Sequence, residues 1–84
     1  MENKLRILKV LEAINKAQSR IEYKRLDILI NTNLFNIESD KPLWGGELLE
    51  LLKEMKVENL ILQDEEKKYL ITKNGLNYLE KNSN

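Results

Sequence analysis

Hydrophobic residues recur at helical spacing in three separate stretches of this 84-residue chain. The clearest is the first, where apolar residues three and four apart, with good helix formers between them, predict a helix over residues 2–17. Weaker stripes of the same period predict a second helix over 22–31 and a third over 43–56. The inward face of the first helix is expected to consist of Leu5, Ile7, Leu8, Val10, Leu11 and Ile14.

After the third helix, helical spacing gives way to two short runs rich in β-forming residues. The runs 60–63 and 68–72 are apolar or β-branched, and the charged tetrapeptide 64–67 separates them. This pattern predicts a hairpin over 60–72. The acids at the hairpin tip point in different directions on a turn, so no metal site is predicted there.

A last helix is expected over 73–81. Thr72 is suited to cap it, because a threonine oxygen can accept a free N–H of the first turn. Gly75 in that turn lets the backbone pass close to a neighbour. Leu76 and Leu79 are expected to return to the core.

The start of the second helix allows two interpretations. Ser19 and Glu22 have the spacing of a capping box, in which each side chain accepts an N–H near the helix start. Ile21 could instead form a short strand beside the hairpin. Both interpretations bury Ile21.

Residues 32–42 are the least regular part of the chain. Asparagines and the only proline indicate turns, whereas the apolar residues among them need burial, so an ordered loop held against the core is expected. Gly45 and Gly46 follow, although glycine disfavours a helix interior. They mark a helix start that needs conformational freedom, a close approach of another surface, or an anion site at a helix N-terminus.

Composition narrows the functional classes. With 42% apolar and 33% charged residues, the chain is expected to be one soluble, cytoplasmic domain without a membrane span or signal peptide. It contains neither cysteine nor histidine, which excludes Ser-His and Cys-His catalysis and His- or Cys-ligated metals. We therefore expect neither an enzyme nor a cofactor, and no small-molecule ligand can be inferred from these residues.

Charge is unevenly distributed although its formal sum is zero. Residues 1–30 carry +3, residues 31–66 carry −6, and residues 67–84 carry +3. Such blocks create a directional field that bears on any polyanionic partner.

Residues 69–79, Tyr-Leu-Ile-Thr-Lys-Asn-Gly-Leu-Asn-Tyr-Leu, resemble an ending common in small winged helix-turn-helix transcriptional regulators. These include archaeal and viral regulators and the PadR-like and MarR-like groups, whose pattern is Tyr-x-Leu/Ile-Thr-x-x-Gly-x-x-Tyr/Phe-Leu. Residues 48–61 are similar to the preceding recognition helix and its exit into the wing. Asn59 stands where that family commonly has glycine, and asparagine also enters the left-handed backbone region.

The resemblance implies a mostly helical α+β fold, with three helices, a hairpin wing and a C-terminal helix. It also implies a homodimer, formed through the first or last helix, that places its third helix in the major groove of double-stranded DNA and its wing on phosphate. The candidate DNA-binding residues are Lys24, Arg25, Lys41, Trp44, Lys53, Lys56, Lys67, Lys68 and Lys73.

Each of these residues also has an interpretation that does not involve DNA. The lysines could lie on a solvated face, and Trp44 could close the edge of the core instead of stacking on a base. The third helix also carries Glu47, Glu50 and Glu54, which phosphate repels. An alternative function is therefore a winged-helix protein-interaction module whose acidic third helix binds a basic partner.

Overall fold

A computed structural model describes residues 2–31, 43 and 45–82. Within these ranges the chain is α+β and mostly helical, as expected, with four helices and one antiparallel hairpin. The elements are α1 (Asn3–Lys16), α2 (Tyr23–Ile30), α3 (Gly45–Val57), β1 (Ile61–Gln63), β2 (Tyr69–Ile71) and α4 (Lys73–Asn82). The predicted loop 32–42, Lys41 and Trp44 lie outside the described residues.

One core joins all of these elements. The expected inward stripe of α1 is confirmed, with five residues buried and Ile14 packed at the margin. The largest fully buried side chains are Ile7, Leu8, Val10, Leu11, Leu26, Ile30, Leu48, Leu52, Met55 and Ile61. Burial of their apolar surface drives the association of the helices with the hairpin.

Helix α1 ends in a turn that excludes the capping-box interpretation of Ser19. Gln18 adopts φ 58°, and the N–H of Ser19 donates to the carbonyl of Ile14 at 3.1 Å, in the pattern that closes many helix C-termini. The next helix begins only at Tyr23, and no side chain caps it. Ser19 therefore belongs to the end of α1.

Ile21 forms the short strand that was the alternative interpretation. It pairs antiparallel with Tyr69, whose N–H donates to the carbonyl of Ile21 at 2.7 Å. Asn15 completes the same edge of β2, because its Oδ1 accepts the N–H of Ile71 at 2.8 Å. The Nδ2 of Asn15 donates to the carbonyl of Ser19 at 2.9 Å, which joins the turn after α1 to the hairpin.

The hairpin begins immediately after a second left-handed residue. Asn59 adopts φ 62°, as expected for an asparagine in this role, and Leu60 N–H donates to the carbonyl of Met55 at 3.0 Å. The strands then pair in the register Ile61 to Ile71, Leu62 to Leu70 and Gln63 to Tyr69. The end of α3 thus determines the direction of β1.

Thr72 and Gly75 attach α4 to this junction as predicted. The Oγ1 of Thr72 accepts the N–H of Gly75 at 3.0 Å and donates to the carbonyl of Asn59 at 2.6 Å. A Cβ on Gly75 would lie 2.1 Å from the carbonyl oxygen of Leu60. Only glycine permits this approach.

The prediction that Leu76 and Leu79 of α4 both return to the core is wrong for one of them. Leu79 is buried, but Leu76 is 41% exposed. Tyr69 is buried and Tyr78 packs against the core. The Tyr78 hydroxyl donates to Glu2 Oε1 at 2.6 Å, and this hydrogen bond is the main cause of the raised pKa of Tyr78.

The two glycines at the start of α3 serve the conformation of the helix start. Gly45 adopts φ +52°, which favours glycine. Among the described residues, a Cβ on Gly45 or Gly46 would meet nothing within 4 Å, whereas the Tyr23 hydroxyl approaches the backbone and donates to the Gly45 carbonyl at 3.0 Å. No helix among the described residues is both long and apolar enough to cross a membrane.

Candidate nucleic-acid interface

Helix α3 carries opposite charges on its two exposed edges. Successive residues are rotated by about 100° around a helix, which places Lys53 near the middle of the exposed face, with Lys56 on one side of it and the glutamates on the other. Lys56 lies toward the hairpin, because its Nζ donates to Gln63 Oε1 at 3.0 Å. The other edge lies toward α1, since Glu47, Glu50, Glu54 and Asn3 line one open cleft.

Lys4 of α1 reduces the negative charge of the acidic edge. Its Nζ lies 2.8 Å from Glu58 Oε1 and 3.7 Å from Glu54 Oε1. The hydrogen bond with Glu58 is the main cause of the raised pKa of Lys4. The three side chains together carry one negative charge.

The hairpin turn, residues 64–68, is organised by one carboxylate. Asp64 Oδ1 accepts the backbone N–H of Glu66 at 2.9 Å and that of Lys68 at 3.0 Å. Lys67 takes the left-handed conformation, with φ 63°, and its N–H donates to the carbonyl of Asp64 at 2.9 Å. The Lys68 N–H is the main reason that the pKa of Asp64 is lowered, and Arg20 lowers it further.

Arg20 holds two acids of the hairpin turn from outside the hairpin. Its guanidinium donates to Asp64 Oδ2 and, at 2.9 Å, to Glu66 Oε1. These bonds reduce the negative charge beside the returning strand. Lys67 and Lys68 form no ion pair with any acid in the described part of the chain.

The structure brings some of the predicted DNA-binding residues together and separates others. Lys56 on α3 lies toward the hairpin that carries Lys67 and Lys68, and Lys53 lies about one helical turn before it. Lys53 is exposed, and its Nζ is 3.7 Å from Glu50 Oε1. The other described candidates are exposed on different elements, with Lys24 and Arg25 on α2 and Lys73 at the start of α4.

Three cationic side chains with structural roles were missed by the sequence-based prediction. Lys4 and Arg20 make the ion pairs described above, with Glu58 and Asp64 that lie 54 and 44 positions further along the chain. Arg6 is 2% exposed and donates to the Ile30 carbonyl at the end of α2 and to Asn3 Oδ1. No local signal distinguishes these three from solvated cations, because each of them pairs with at least one group far along the chain.

The described residues contain no group of three or more acidic side chains arranged to hold a metal ion. No protein-family model, curated protein or solved structure matches the chain.

Proposed function

We propose that the chain is a cytoplasmic, winged helix-turn-helix DNA-binding regulator. The order of its elements supports this proposal, because a helix, a one-residue strand, two helices, a hairpin and a last helix follow one another along the chain. That order resembles the winged-helix arrangement, in which Ile21 would be the first strand and β1 and β2 the wing. The hairpin motif in residues 69–79 supports the same fold.

The separation of charge on α3 is the observation that carries the functional proposal. Lys56 lies toward the hairpin, whereas Glu47 and Glu54 line a cleft with Asn3 of α1. An approaching duplex can therefore meet the basic edge of α3 and the returning strand of the hairpin while the acidic edge faces away. The acids of α3 then orient the protein on DNA, because phosphate repels them from one side only.

Each element has a distinct task in this proposal. The exposed side of α3 enters the major groove, where Lys53 can donate to base edges or phosphate. Lys67 and Lys68 bind phosphate and set the position of the protein without reading sequence. Arg20 supports them indirectly, since its positive charge offsets part of the negative charge of Asp64 and Glu66 beside them.

Titration of a labelled mixed-sequence duplex over a salt series tests the proposal. We expect affinity to fall steeply with salt, and the double variant Lys67→Ala/Lys68→Ala to lower the magnitude of the log-log slope by about two. The matched control is Lys16→Ala/Lys81→Ala, which removes the same charge from exposed positions of α1 and α4 and should leave the slope unchanged. Absence of binding at low salt would reject the proposal, as would equal effects of the two double variants.

We also propose that the regulator is a homodimer that associates through α1 and α4. Leu76 is 41% exposed, and it lines an open cleft with Leu79, Lys9, Glu12 and Glu80. A patch with an apolar centre and charges of both signs can pair with its own copy around a two-fold axis.

Light scattering on the purified protein tests the dimer. The expected mass is that of two chains, and Leu76→Ser should shift it toward one chain because the apolar centre of the contact is lost. Val57→Ser is the matched control, since Val57 is 86% exposed and is not among the residues of that cleft. A wild-type mass of one chain contradicts the dimer.

The acidic edge of α3 supports a second candidate function, a protein-interaction module. Glu47, Glu50 and Glu54 line an open cleft that a basic partner could enter. This proposal predicts that Glu47→Gln/Glu50→Gln releases a captured basic partner and that Glu65→Gln/Glu80→Gln does not. Retention of the partner by the first double variant would reject it.

A further inference from the structure

An open apolar groove lies between the C-terminal half of α1 and α2. Its volume is about 560 Å³, within the range of small-molecule sites. Ala13 and Ala17, one helical turn apart at the end of α1, contribute small side chains to it, and Ile21 and Ile28 contribute larger aliphatic ones. The groove is therefore suited to an aliphatic occupant.

One of the groove's aliphatic side chains is left unusually open to water. Ile28 is 58% exposed although it lines the groove. An occupant would cover part of this side chain together with the two alanines, and removing apolar surface from water favours its binding.

The charged residues of the groove indicate which polar group the occupant carries. Arg20 and Arg25 both line it, and no acidic side chain is among its described lining residues. Arg25 is exposed and forms no ion pair within the described ranges. A second copy of this chain packed on the groove about a two-fold axis would bring like-charged arginines together, whereas a carboxylate would pair with them.

We infer that this groove binds a free aliphatic carboxylate, with its chain along Ala13 and Ala17 and its carboxylate between Arg20 and Arg25. Decanoate is small enough to fit a groove of this volume and serves as the probe.

Occupancy of the groove is coupled to the hairpin through Arg20. This guanidinium lines the groove and also holds Asp64 and Glu66 of the hairpin turn. A bound carboxylate competes with those two acids for Arg20. When Arg20 pairs with the ligand, the negative charge of the two acids beside Lys67 and Lys68 is no longer neutralised. This consequence rests on the proposed function: the ligand is expected to lower DNA affinity, and DNA to lower ligand affinity by the same factor.

Titration of the full chain with decanoate, followed by NMR, tests the site without DNA. We expect saturable shifts of the amides of Ala13, Ala17 and Ile28, with decanol and decyltrimethylammonium binding more weakly because they lack the carboxylate. Arg25→Gln should weaken decanoate binding about tenfold. The matched control, Lys24→Gln, removes the same charge from the neighbouring residue, which is not among the groove's lining residues, and should bind as the wild type does.

Ala13→Leu provides a second test, since Ala13 is exposed and a larger side chain there fills the groove without entering the core. We expect this variant to fold normally by circular dichroism and to lose decanoate binding. Absence of saturable binding by the wild type, equal binding of decanol, or unchanged binding by both groove variants would overturn the inference.

DNA titrations with and without decanoate separate this inference from the proposed function. A decanoate-dependent loss of DNA affinity in the wild type, absent in Ala13→Leu, supports both. Saturable decanoate binding by a chain that binds no DNA supports the groove and rejects the DNA-binding proposal. DNA binding without decanoate binding rejects the ligand site in the groove and leaves the DNA-binding proposal standing.

Discussion

Gly75 lies where the carbonyl of Leu60 crosses the first turn of α4. The same carbonyl accepts the N–H of Thr72 at 3.1 Å, so the two backbone segments are held together by a hydrogen bond as well as by packing. A Cβ at residue 75 would also lie 2.8 Å from Ile71 Cγ1. The absence of a side chain at this residue therefore determines how closely α4 approaches the start of β1.

Gly75→Ala should destabilise the protein by about 2 kcal/mol, because the steric conflict with a backbone carbonyl exceeds the gain in helix propensity. Gly46→Ala is the matched control and should stabilise by about 0.5–1 kcal/mol, since its Cβ meets nothing within 4 Å in the described part of the chain. Urea denaturation measures both changes. Equal effects of the two substitutions would contradict the role assigned to Gly75.

The hairpin turn shows how one element depends on a residue outside it. Within the turn, Asp64 bonds the backbone of Glu66 and Lys68, and its side chain is only 18% exposed. Outside the turn, Arg20 joins the same carboxylate to the chain segment after α1. The conformation of the hairpin is thus coupled to the strand at Ile21 through both backbone and side-chain contacts.

Asp64 gives the hairpin a contribution to stability that depends on pH. Its pKa is lowered in the folded state, so the contribution is present above the unfolded pKa of about 3.9 and is lost as pH falls through the folded value. Asp64→Asn keeps an oxygen that can accept the turn hydrogen bonds and removes the charge. We expect this variant to be less stable than the wild type at neutral pH and the difference to shrink in acid.

Urea denaturation of both proteins from neutral pH to about pH 2 measures this difference. Glu65→Asn is a control in the same turn, since Glu65 is exposed and no hydrogen bond or ion pair of its side chain is present within the described residues. A constant difference between wild type and Asp64→Asn across the acid range would show that the charge of Asp64 does not stabilise the turn.

At the scale of the molecule, distant ion pairs change the meaning of the charge blocks along the chain. The acidic block 31–66 is held by cations of the basic block 1–30, through Lys4 with Glu58 and Arg20 with Asp64. One further cation of the first block, Arg6, is buried. The electric field at the surface therefore follows the three-dimensional arrangement of the charges. The charge blocks along the sequence describe this field poorly.

Glu50→Gln distinguishes the two proposed functions. As a DNA-binding protein, the chain should gain about twofold in affinity at low salt when this exposed carboxylate is removed, with a smaller gain as salt screens the charge. As an acidic interaction module, it should lose affinity for its basic partner. Glu22→Gln, at the exposed residue before α2, is the matched control for DNA binding and should have little effect; equal gains from both changes would contradict a localised interface.

The candidate interface was only partly predictable. Lys53, Lys56, Lys67 and Lys68 follow from their positions on a helix face and a hairpin, which local spacing reveals. The supporting role of Arg20 did not follow, because it depends on a contact with residues far along the chain. The apolar groove was also missed, since it forms only when α1 and α2 pack with two alanines between them.

The sequence by itself determined the helices, the hairpin and the attachment of α4, because spacing of apolar residues and the preferences of Asn59, Thr72 and Gly75 act locally. Only the tertiary arrangement assigns Ile21 to a strand and shows which elements the lysines and glutamates of α3 face. Both depend on which surfaces meet: β2 supplies the hydrogen-bond partner of Ile21, and α1 supplies the cation beside the acids of α3. Such pairings join residues that are distant in sequence, so they cannot be predicted from the local sequence pattern.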